Sequence, residues 1–213
     1  KEFLIKIFMI PRIEQKAELS QGNYGQFIEW LFVNNFNILY PERVVSSIYF
    51  DNYSMESYRD TLEGNTPRKK IRLRSYGIDA FKDLSKNIKL EKKLSNEFYR
   101  LKSQTDDINV WDSLNNGIID SQYGLCLPVA KITYSREYYF YKNWRVTIDK
   151  SIKYECLKNK ELIIEEKMFV LEIKTSINEN QTKLKNLFEF PRSKFSKYER
   201  AINSFQNTHE FIN

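Results

Sequence analysis

The segment PRKKIRLRSY, residues 67–76, decides how the rest of the chain is interpreted. On a β-strand successive side chains point to opposite faces, so every second residue of this segment shares a face. One face therefore carries only cations, namely Arg68, Lys70, Arg72 and Arg74. The other face carries apolar Ile71 and Leu73. Such a row is either the solvated face of an ordinary sheet or one wall of a polar cavity that holds a polyanion.

Composition favours one folded, basic domain. The 213 residues are 41% hydrophobic and 15% aromatic, which is sufficient for a substantial core, and we expect a single domain over residues 1–213. Lysine and arginine total 34 against 28 acidic residues, a net charge of +6. This balance predicts an anionic partner without identifying its class.

Targeting and cysteine signals are weak. The sequence has no signal peptide and no apolar run of the roughly 20 residues that a membrane helix needs, so we expect a soluble, cytoplasmic protein. The chain starts at Lys1 rather than methionine, which is compatible with trimmed upstream residues.

Cys126 and Cys156 are isolated thiols without CxxC spacing, and this argues against a zinc site and a disulfide scaffold.

Periodicity predicts about eight strands with helices between them. The predicted strands are residues 3–10, 44–51, 67–76, 88–94, 98–102, 130–141, 145–152 and 169–175. The predicted helices are residues 24–36, 54–62, 106–116, 179–188 and 197–205. We expect the first helix to cover the outer face of the sheet. Asp106 and Ser196 are the expected N-caps, while Gly64 and Gly117 are expected to end helices.

The cationic face recurs on other strands. Polar faces carry Lys6, Arg72, Arg74, Glu91, Lys93, Arg145, Glu172 and Lys174. These residues either lie in water on a sandwich or line a closed barrel whose apolar outer faces are covered by helices. The alternation of polar and apolar residues along these strands is compatible with both arrangements.

A lumen lined by cations suits a chain of phosphates. Bound phosphates would relieve the repulsion between like charges, and a pair of charges about 4 Å apart is worth roughly 4 kcal/mol at an effective dielectric near 20. Arginines favour bidentate phosphate contacts and lysines favour point-charge contacts. Glu172 and Glu91 are candidate oxygen donors to Mg²⁺ or Mn²⁺, with Glu172 the stronger candidate. A salt bridge to a neighbouring lysine is the alternative role of Glu172.

A second anion site is predicted at Ser196, where the positive end of a helix lies beside Lys194 and Lys197. An ordinary capped surface helix is the alternative. The sequence contains no GxxxxGK[ST] loop and no GxGxxG fingerprint, and its single histidine is His209. These absences argue against the common nucleotide-binding motifs and against histidine-based nucleophilic catalysis.

A series of motifs resembles the VTC domain of the triphosphate tunnel metalloenzyme (CYTH-like) superfamily. In order along nearly the whole chain they are SSIYFDN (46–52), Tyr58, KKIRLRSYG (69–77), LEKK (90–93), TYSREYY (133–139), RVTID (145–149), VLEIK (170–174) and KFSKY (194–198). Each motif alone is weak, whereas their common order is specific.

The resemblance implies an α+β fold, with an eight-stranded antiparallel β-barrel tunnel, a polar and basic lumen, and flanking helices. It also implies synthesis of polyphosphate from ATP with Mn²⁺ or Mg²⁺. By motif, the phosphate-gripping residues would be Arg72, Arg74, Lys93, Arg136, Arg145, Lys194 and Lys197. Arg100 and Lys102 match a further basic pair, and Glu172 would hold the metal.

Two positions depart from simple expectations. Arg136 is in phase with Tyr134 and Tyr138, so a bulge or a changed register is expected there if it faces the lumen. The superfamily often has ExExK on its first strand, whereas residues 2–6 read EFLIK, with leucine at the second acidic position. Lys6 is still expected to face the phosphates, while a second metal is disfavoured.

Three functions stay open. The leading one is a metal-dependent ATP–polyphosphate phosphotransferase, whose partners would be ATP and inorganic polyphosphate. The others are a tunnel phosphohydrolase and a non-catalytic polyphosphate-binding subunit. Nucleic-acid binding is disfavoured because no recognition motif or stacking platform lies beside the basic rows.

Overall fold

A computed structural model describes residues 12–77, 81, 87–96, 100–159, 161–176 and 189–208. Its strands are β1 (Arg12–Leu19), β2 (Asn37–Asp51), β3 (Arg68–Tyr76), β4 (Lys89–Ser95), β5 (Arg100–Thr105), β6 (Ile118–Asp120), β7 (Gly124–Tyr141), β8 (Trp144–Cys156), β9 (Ile163–Glu165) and β10 (Phe169–Ser176). Its α-helices are α1 (Tyr24–Val33), α2 (Glu56–Glu63), α3 (Val110–Asn116) and α4 (Lys197–Gln206). A 3₁₀ turn, Gln21–Asn23, precedes α1.

Eight strands form one antiparallel sheet in the order β1-β10-β8-β7-β2-β3-β4-β5, and short β6 and β9 pair with β7 and β8. The sheet curls into a half-barrel, and within the described residues no ladder joins its edge strands β1 and β5. Lys16 on β1 donates to the carbonyl of Phe195 at 2.9 Å, and Lys70 on β3 donates to Ser196 Oγ at 2.7 Å, so the two halves of the inner face meet at the start of α4 across a lumen. The expected α+β fold with an eight-stranded antiparallel sheet is confirmed.

Apolar residues form cores on both faces of the sheet. On the outside, α1 packs Phe27, Trp30 and Leu31 against β1, β8 and β10, as the sequence predicts for this helix. A second outer core lies against β2 and β3 and includes Ile71 and Leu73. The burial of these two residues on the outside leaves the cations of β3 for the inner face.

The inner core fills one end of the lumen. There α4 packs its apolar residues against inward-facing residues of β2, β7 and β8, including Tyr49, Tyr134 and Tyr154. The α4 contributors are Tyr198, Ala201, Ile202 and Phe205. The apolar contacts between the sheet and α4 therefore occupy one part of the inner face, and its polar part extends toward the Tyr76 end of β3.

A β-bulge on β8 separates the polar and apolar halves of the inner face. The β7–β8 register shifts between Thr133 and Ser135, where β8 has an extra residue, and Ser151 adopts a φ of +50°. Before the bulge, Asp149 faces the lumen while Ile148 belongs to the outer core; after it, Ile152 belongs to the inner core. The bulge thus reverses which residues of β8 point inward.

Several predicted boundaries change. The N-cap of α3 is Asn109, whose side chain accepts from the N–H of Asp112 at 3.0 Å, so the prediction of Asp106 is wrong. Gly64 and Gly117 end α2 and α3 with φ values of +79° and +85°, as predicted. The predicted strand 3–10, with Lys6, and the predicted helix 179–188 lie outside the described residues. In the described residues, no helix has both the length and the apolar character for crossing a bilayer.

Candidate functional site

The candidate site is the polar part of the lumen, where cations converge from six strands and one helix. They are Lys16 on β1, Lys70, Arg72 and Arg74 on β3, Lys93 on β4, Arg136 on β7, Arg145 on β8, Lys174 on β10 and Lys197 on α4. The nearby carboxylates are Glu14, Glu91, Asp149 and Glu172. Cations outnumber anions in this space, which favours a polyanionic ligand.

Arg72 and Arg74 are held in place by neutral and acidic neighbours. Arg72 donates through Nε and Nη2 to Glu91 Oε2 at 2.9 and 2.6 Å, and through Nη1 to the Tyr49 hydroxyl at 2.7 Å. Arg74 donates to Ser47 Oγ at 3.0 Å and to the Tyr134 hydroxyl at 3.1 Å. A guanidinium has more N–H donors than these contacts use, so both arginines keep donors for a ligand.

Glu91 is shared by three cations. Besides Arg72, it accepts from Lys102 Nζ at 2.7 Å, and Arg74 Nη1 lies 3.8 Å away. Burial raises the pKa of the Glu91 carboxyl, but the charges of Arg72, Arg74 and Lys102 outweigh burial and lower it to about 2. Both oxygens of Glu91 are therefore engaged by cations. This favours a role in orienting arginines, and its predicted metal ligation stays a prediction.

Arg136 and Lys197 share the buried carboxylate of Asp149. Arg136 donates through Nη2 to Asp149 Oδ2 at 2.7 Å and through Nε to Oδ1, and Lys197 Nζ donates to Oδ2. Burial raises the pKa of Asp149, but Arg136 and Lys197 outweigh it and lower the pKa below its ordinary value. Arg136 faces the lumen in phase with Tyr134, so the bulge expected at Arg136 is instead on β8.

The N-terminus of α4 lies inside the lumen. Ser196 Oγ accepts from the N–H of Glu199 at 3.4 Å and from Lys70 Nζ at 2.7 Å. The carbonyl of Phe195 accepts from Lys16 Nζ at 2.9 Å. The alternative of a surface helix is wrong, because the N-cap contacts cations of β1 and β3. Free N–H groups at a helix start attract anions, so α4 adds to the positive potential.

Lys16, Lys70 and Lys93 lie near enough to repel one another, and Glu14, which is 3.4 Å from Lys16, and Glu172 offset part of this repulsion. Burial lowers the pKa of Lys70 to about 8, with further lowering by Lys16 and Lys93 that the charge of Tyr49 partly offsets. Burial also lowers the pKa of Lys93, and Lys16 and Lys174 add to that effect. A bound phosphate chain would reverse these shifts because it supplies the missing negative charge.

Glu14 and Glu172 form the carboxylate pair that best fits a divalent metal. Their strands are adjacent, with Lys16 opposite Glu172 and Glu14 opposite Lys174. Glu172 pairs with Lys174 at 3.0 Å, and Glu14 pairs with Lys16 at 3.4 Å. Burial raises the pKa of Glu172, but Lys174 and Lys16 outweigh it, and the pKa lies well below its ordinary value. Ionised carboxylates are ligands for Mg²⁺ and Mn²⁺.

The protein supplies only part of a metal coordination shell. In the described part of the chain, no cluster of three or more His, Cys, Asp or Glu side chains could hold a metal ion alone. The donor set of Glu172 with Glu14 therefore fits a cation that also takes phosphate and water oxygens, as Mg²⁺ usually does.

The other predicted residues fall into two groups. Arg145 lies in the lumen with its guanidinium 5.8 Å from the centre of the Tyr138 ring, and its buried Nε has no hydrogen-bond partner. Lys174 pairs with Glu172 at 3.0 Å. Arg100 is exposed at the edge of β5, and Lys194 is exposed before α4. The predicted roles of Arg100 and Lys194 in phosphate binding stay predictions.

Strand β1, with Glu14 and Lys16, is absent from the predicted strands. The segment RIEQKAEL alternates Glu14, Lys16 and Glu18 with apolar Ile13, Ala17 and Leu19, except at Gln15. This alternation was the available signal, and it begins immediately after Pro11. The contacts of Tyr49 and Tyr134 with arginines were also missed, since nothing in the sequence gives the distance between strands.

Comparisons with known proteins agree with the fold. A family model of the VTC domain matches residues 12–123 and 109–206. The PH1819 protein of Pyrococcus horikoshii OT3 has a TM-score of 0.57 at 15% identity, covering 91% of this chain and 99% of that chain. A putative adenylate cyclase from Bacillus halodurans has a TM-score of 0.57 at 13% identity, covering 88% and 94%.

A third similar structure is a putative adenylyl cyclase from Hippeastrum, described as having a dominant triphosphatase activity. Its TM-score is 0.51 at 13% identity, covering 91% of this chain and 96% of that chain. No curated protein matches the sequence. At these identities the structural similarity concerns the fold.

Proposed function

We propose that this chain, which belongs to the VTC domain family, transfers the γ-phosphate of ATP to a growing polyphosphate chain inside the lumen. The observation that supports this most is the convergence of Arg72, Arg74, Arg136 and Lys93 on one enclosed space. Phosphoryl transfer needs little covalent help from a protein, because catalysis comes from positioning and charge neutralisation.

Preorganisation gives these cations their proposed roles. Glu91 and Tyr49 fix Arg72, and Asp149 fixes Arg136, so their remaining donors have fixed directions before the ligand arrives. Donors that are already oriented cost no reorganisation when charge develops on the transferred group. Arg72, Arg74 and Arg136 therefore bind the phosphates in bidentate fashion, and Lys70 and Lys93 add point charges.

Glu172 and Glu14 would hold Mn²⁺ or Mg²⁺. The bound cation would neutralise charge on phosphate oxygens. The residues of the chain then have separate tasks: the carboxylates offset local excess positive charge, while Ser196 and Lys197 bind phosphate at the start of α4. Lys102, which pairs with Glu91, stabilises the orientation of that carboxylate.

Product analysis tests the proposal directly. Purified protein is incubated with ATP and Mn²⁺, and long polyphosphate chains are resolved from free phosphate by electrophoresis. The wild type is expected to form chains, and Arg72→Ala is expected to reduce the rate at least about a hundredfold. Lys153→Ala, which removes an exposed lysine paired with Glu165, is the matched control and should keep full activity. Undiminished chain formation in Arg72→Ala would refute the assignment.

Hydrolysis of triphosphate is the second candidate. A protein of the same fold is described as having a dominant triphosphatase activity. In the same assay, free phosphate without chains would favour the hydrolase. Tight binding of tripolyphosphate with neither product under any metal would favour a non-catalytic binding subunit.

A further inference from the structure

The open end of the lumen carries an aromatic and cationic cluster for which the phosphate chemistry has no role. Tyr40 on β2 and Tyr138 on β7 are opposite each other, with ring centroids 5.7 Å apart in an edge-to-face arrangement. The Arg43 guanidinium lies 4.9 Å from the centroid of Tyr40 and 5.9 Å from that of Tyr138. We call Tyr40, Arg43 and Tyr138 the mouth cluster.

The mouth cluster combines a fixed ring with an accessible one. Tyr138 is only 5% exposed and is also in contact with the guanidinium of Arg145, whereas Tyr40 is 43% exposed. The exposed part of the Tyr40 ring and the Arg43 guanidinium that lies over it together form a suitable surface for a flat ligand ring.

The position of α4 determines which part of a ligand reaches this cluster. Ile202 and Phe205 belong to the apolar inner core on the side of α4 away from this cluster, and Ser196 at the start of α4 accepts a hydrogen bond from Lys70. A triphosphate whose terminal phosphate reaches Ser196 must therefore extend toward the Tyr40 end. Any group attached to the other end of that triphosphate lies at the mouth cluster.

We propose that the mouth cluster is a nucleobase subsite, in which the purine ring of a nucleoside triphosphate stacks on Tyr40 beside Arg43. This rests on the proposed function, in which ATP is the phosphoryl donor. Arg145 lies between this cluster and Lys174 on β10, so it contacts the phosphates nearest to the nucleoside. Every base has a π-face that can stack, so the subsite does not distinguish bases by hydrogen bonds to their edges. It prefers purines to pyrimidines only because the larger ring system stacks more strongly.

Calorimetric titration with ATP and with inorganic tripolyphosphate, both without divalent metal, separates the base from the phosphates. Tyr40→Ala is expected to weaken ATP binding about tenfold, because the base loses the aromatic side chain on which it stacks. Its affinity for tripolyphosphate should stay within about twofold of the wild type, because the lumen cations are unchanged. Tyr40→Phe keeps the ring and should bind both ligands like the wild type. Tyr53→Ala, which removes a 94% exposed tyrosine, is the matched control.

The outcomes distinguish this inference from the proposed function. If Tyr40→Ala weakens ATP and tripolyphosphate equally, Tyr40 supports the lumen and the nucleobase subsite is refuted. If it weakens neither while the wild type binds both, the subsite is refuted and the phosphate site stands. If the wild type binds neither ligand, both proposals are refuted.

Discussion

Arg136 and Asp149 face each other across the β7–β8 ladder, and the arginine donates through Nε and Nη2 to both carboxylate oxygens. Lys197, the first residue of α4, donates to the same carboxylate. One buried anion therefore connects the sheet to α4 and orients two cations of the lumen. The energetic consequence of this arrangement is large, because removing one member of a buried charge group leaves the others uncompensated.

Asp149→Asn is accordingly expected to lower the free energy of unfolding by about 3–5 kcal/mol, measured by urea denaturation. Added tripolyphosphate should recover part of the loss, because it supplies negative charge to Arg136 and Lys197. Glu165→Gln, which removes the exposed partner of Lys153, serves as the control and should change stability little. Equal stability of the two variants would contradict the structural role of Asp149.

Polyanions are expected to stabilise the wild type against heat. Glu14 and Glu172 offset only part of the repulsion among Lys16, Lys70 and Lys93, and negative charge that enters the lumen relieves it further. At a ligand concentration of a hundred times Kd, the gain in stability is about 2.7 kcal/mol, seen as a rise in Tm by calorimetry. The rise should shrink as salt is added. Sulfate at matched ionic strength is the control, and an equal rise with sulfate would argue against a site for phosphate chains.

Binding of tripolyphosphate should weaken as pH rises above about 8. The pKa of Lys70 is lowered to about 8 in the free protein, and so is that of Tyr49, where burial raises the pKa but Arg72 and Arg74 outweigh it. Bound phosphates raise the pKa values of Lys70 and Tyr49. Between about pH 8 and these raised pKa values, the complex therefore binds more protons than the free protein. Affinity is therefore lost through this window and is unaffected by these groups well below pH 8.

Proton uptake provides the measurement. Titrations at pH 8.5 in buffers with different ionisation enthalpies should show net uptake on binding by the wild type. Lys70→Met, which keeps much of the side-chain volume, should take up fewer protons. Identical uptake in the variant and the wild type would show that Lys70 does not titrate on binding.

Glu172→Gln is expected to separate metal use from phosphate binding. With Mn²⁺ and ATP, chain formation should fall at least about a hundredfold, because the amide is a poorer ligand than the carboxylate. Without metal, affinity for tripolyphosphate should not fall, since a negative charge has been removed from the site. Glu155→Gln changes a surface carboxylate paired with Lys131 and is the control. Loss of metal-free binding in Glu172→Gln would indicate a structural role instead.

Alternation along single strands predicted part of this site correctly. Ile71 and Leu73 are buried outside, and Arg72 and Arg74 face the lumen, as period-two patterning requires. The spacing of Ser196 and Glu199 predicted the N-cap of α4. These features are local, so neighbouring residues in the sequence are enough to define them. The α+β class came instead from the order of the motifs along the chain.

Features that depend on distant segments were not predictable in the same way. The placement of α4 inside the sheet depends on packing of Ile202 and Phe205 against strands far away in sequence. The side of β8 that faces inward depends on the bulge at Ser151, which alternation alone does not reveal. Lys16 was not predicted because the first strand was expected at residues 3–10, whereas β1 is Arg12–Leu19.

The bulge at Ser151 has a consequence for ligand length. It marks the depth at which β8 stops offering charged side chains and begins to offer Ile152 and Tyr154. Deleting the extra residue would exchange the inner and outer faces of the segment of β8 before the bulge, so that Ile148 would face the lumen and Asp149 would face the outer core. The position of this extra residue thus sets how far along β8 the charged side chains extend. We expect that moving it along β8 would change how many phosphates the channel admits.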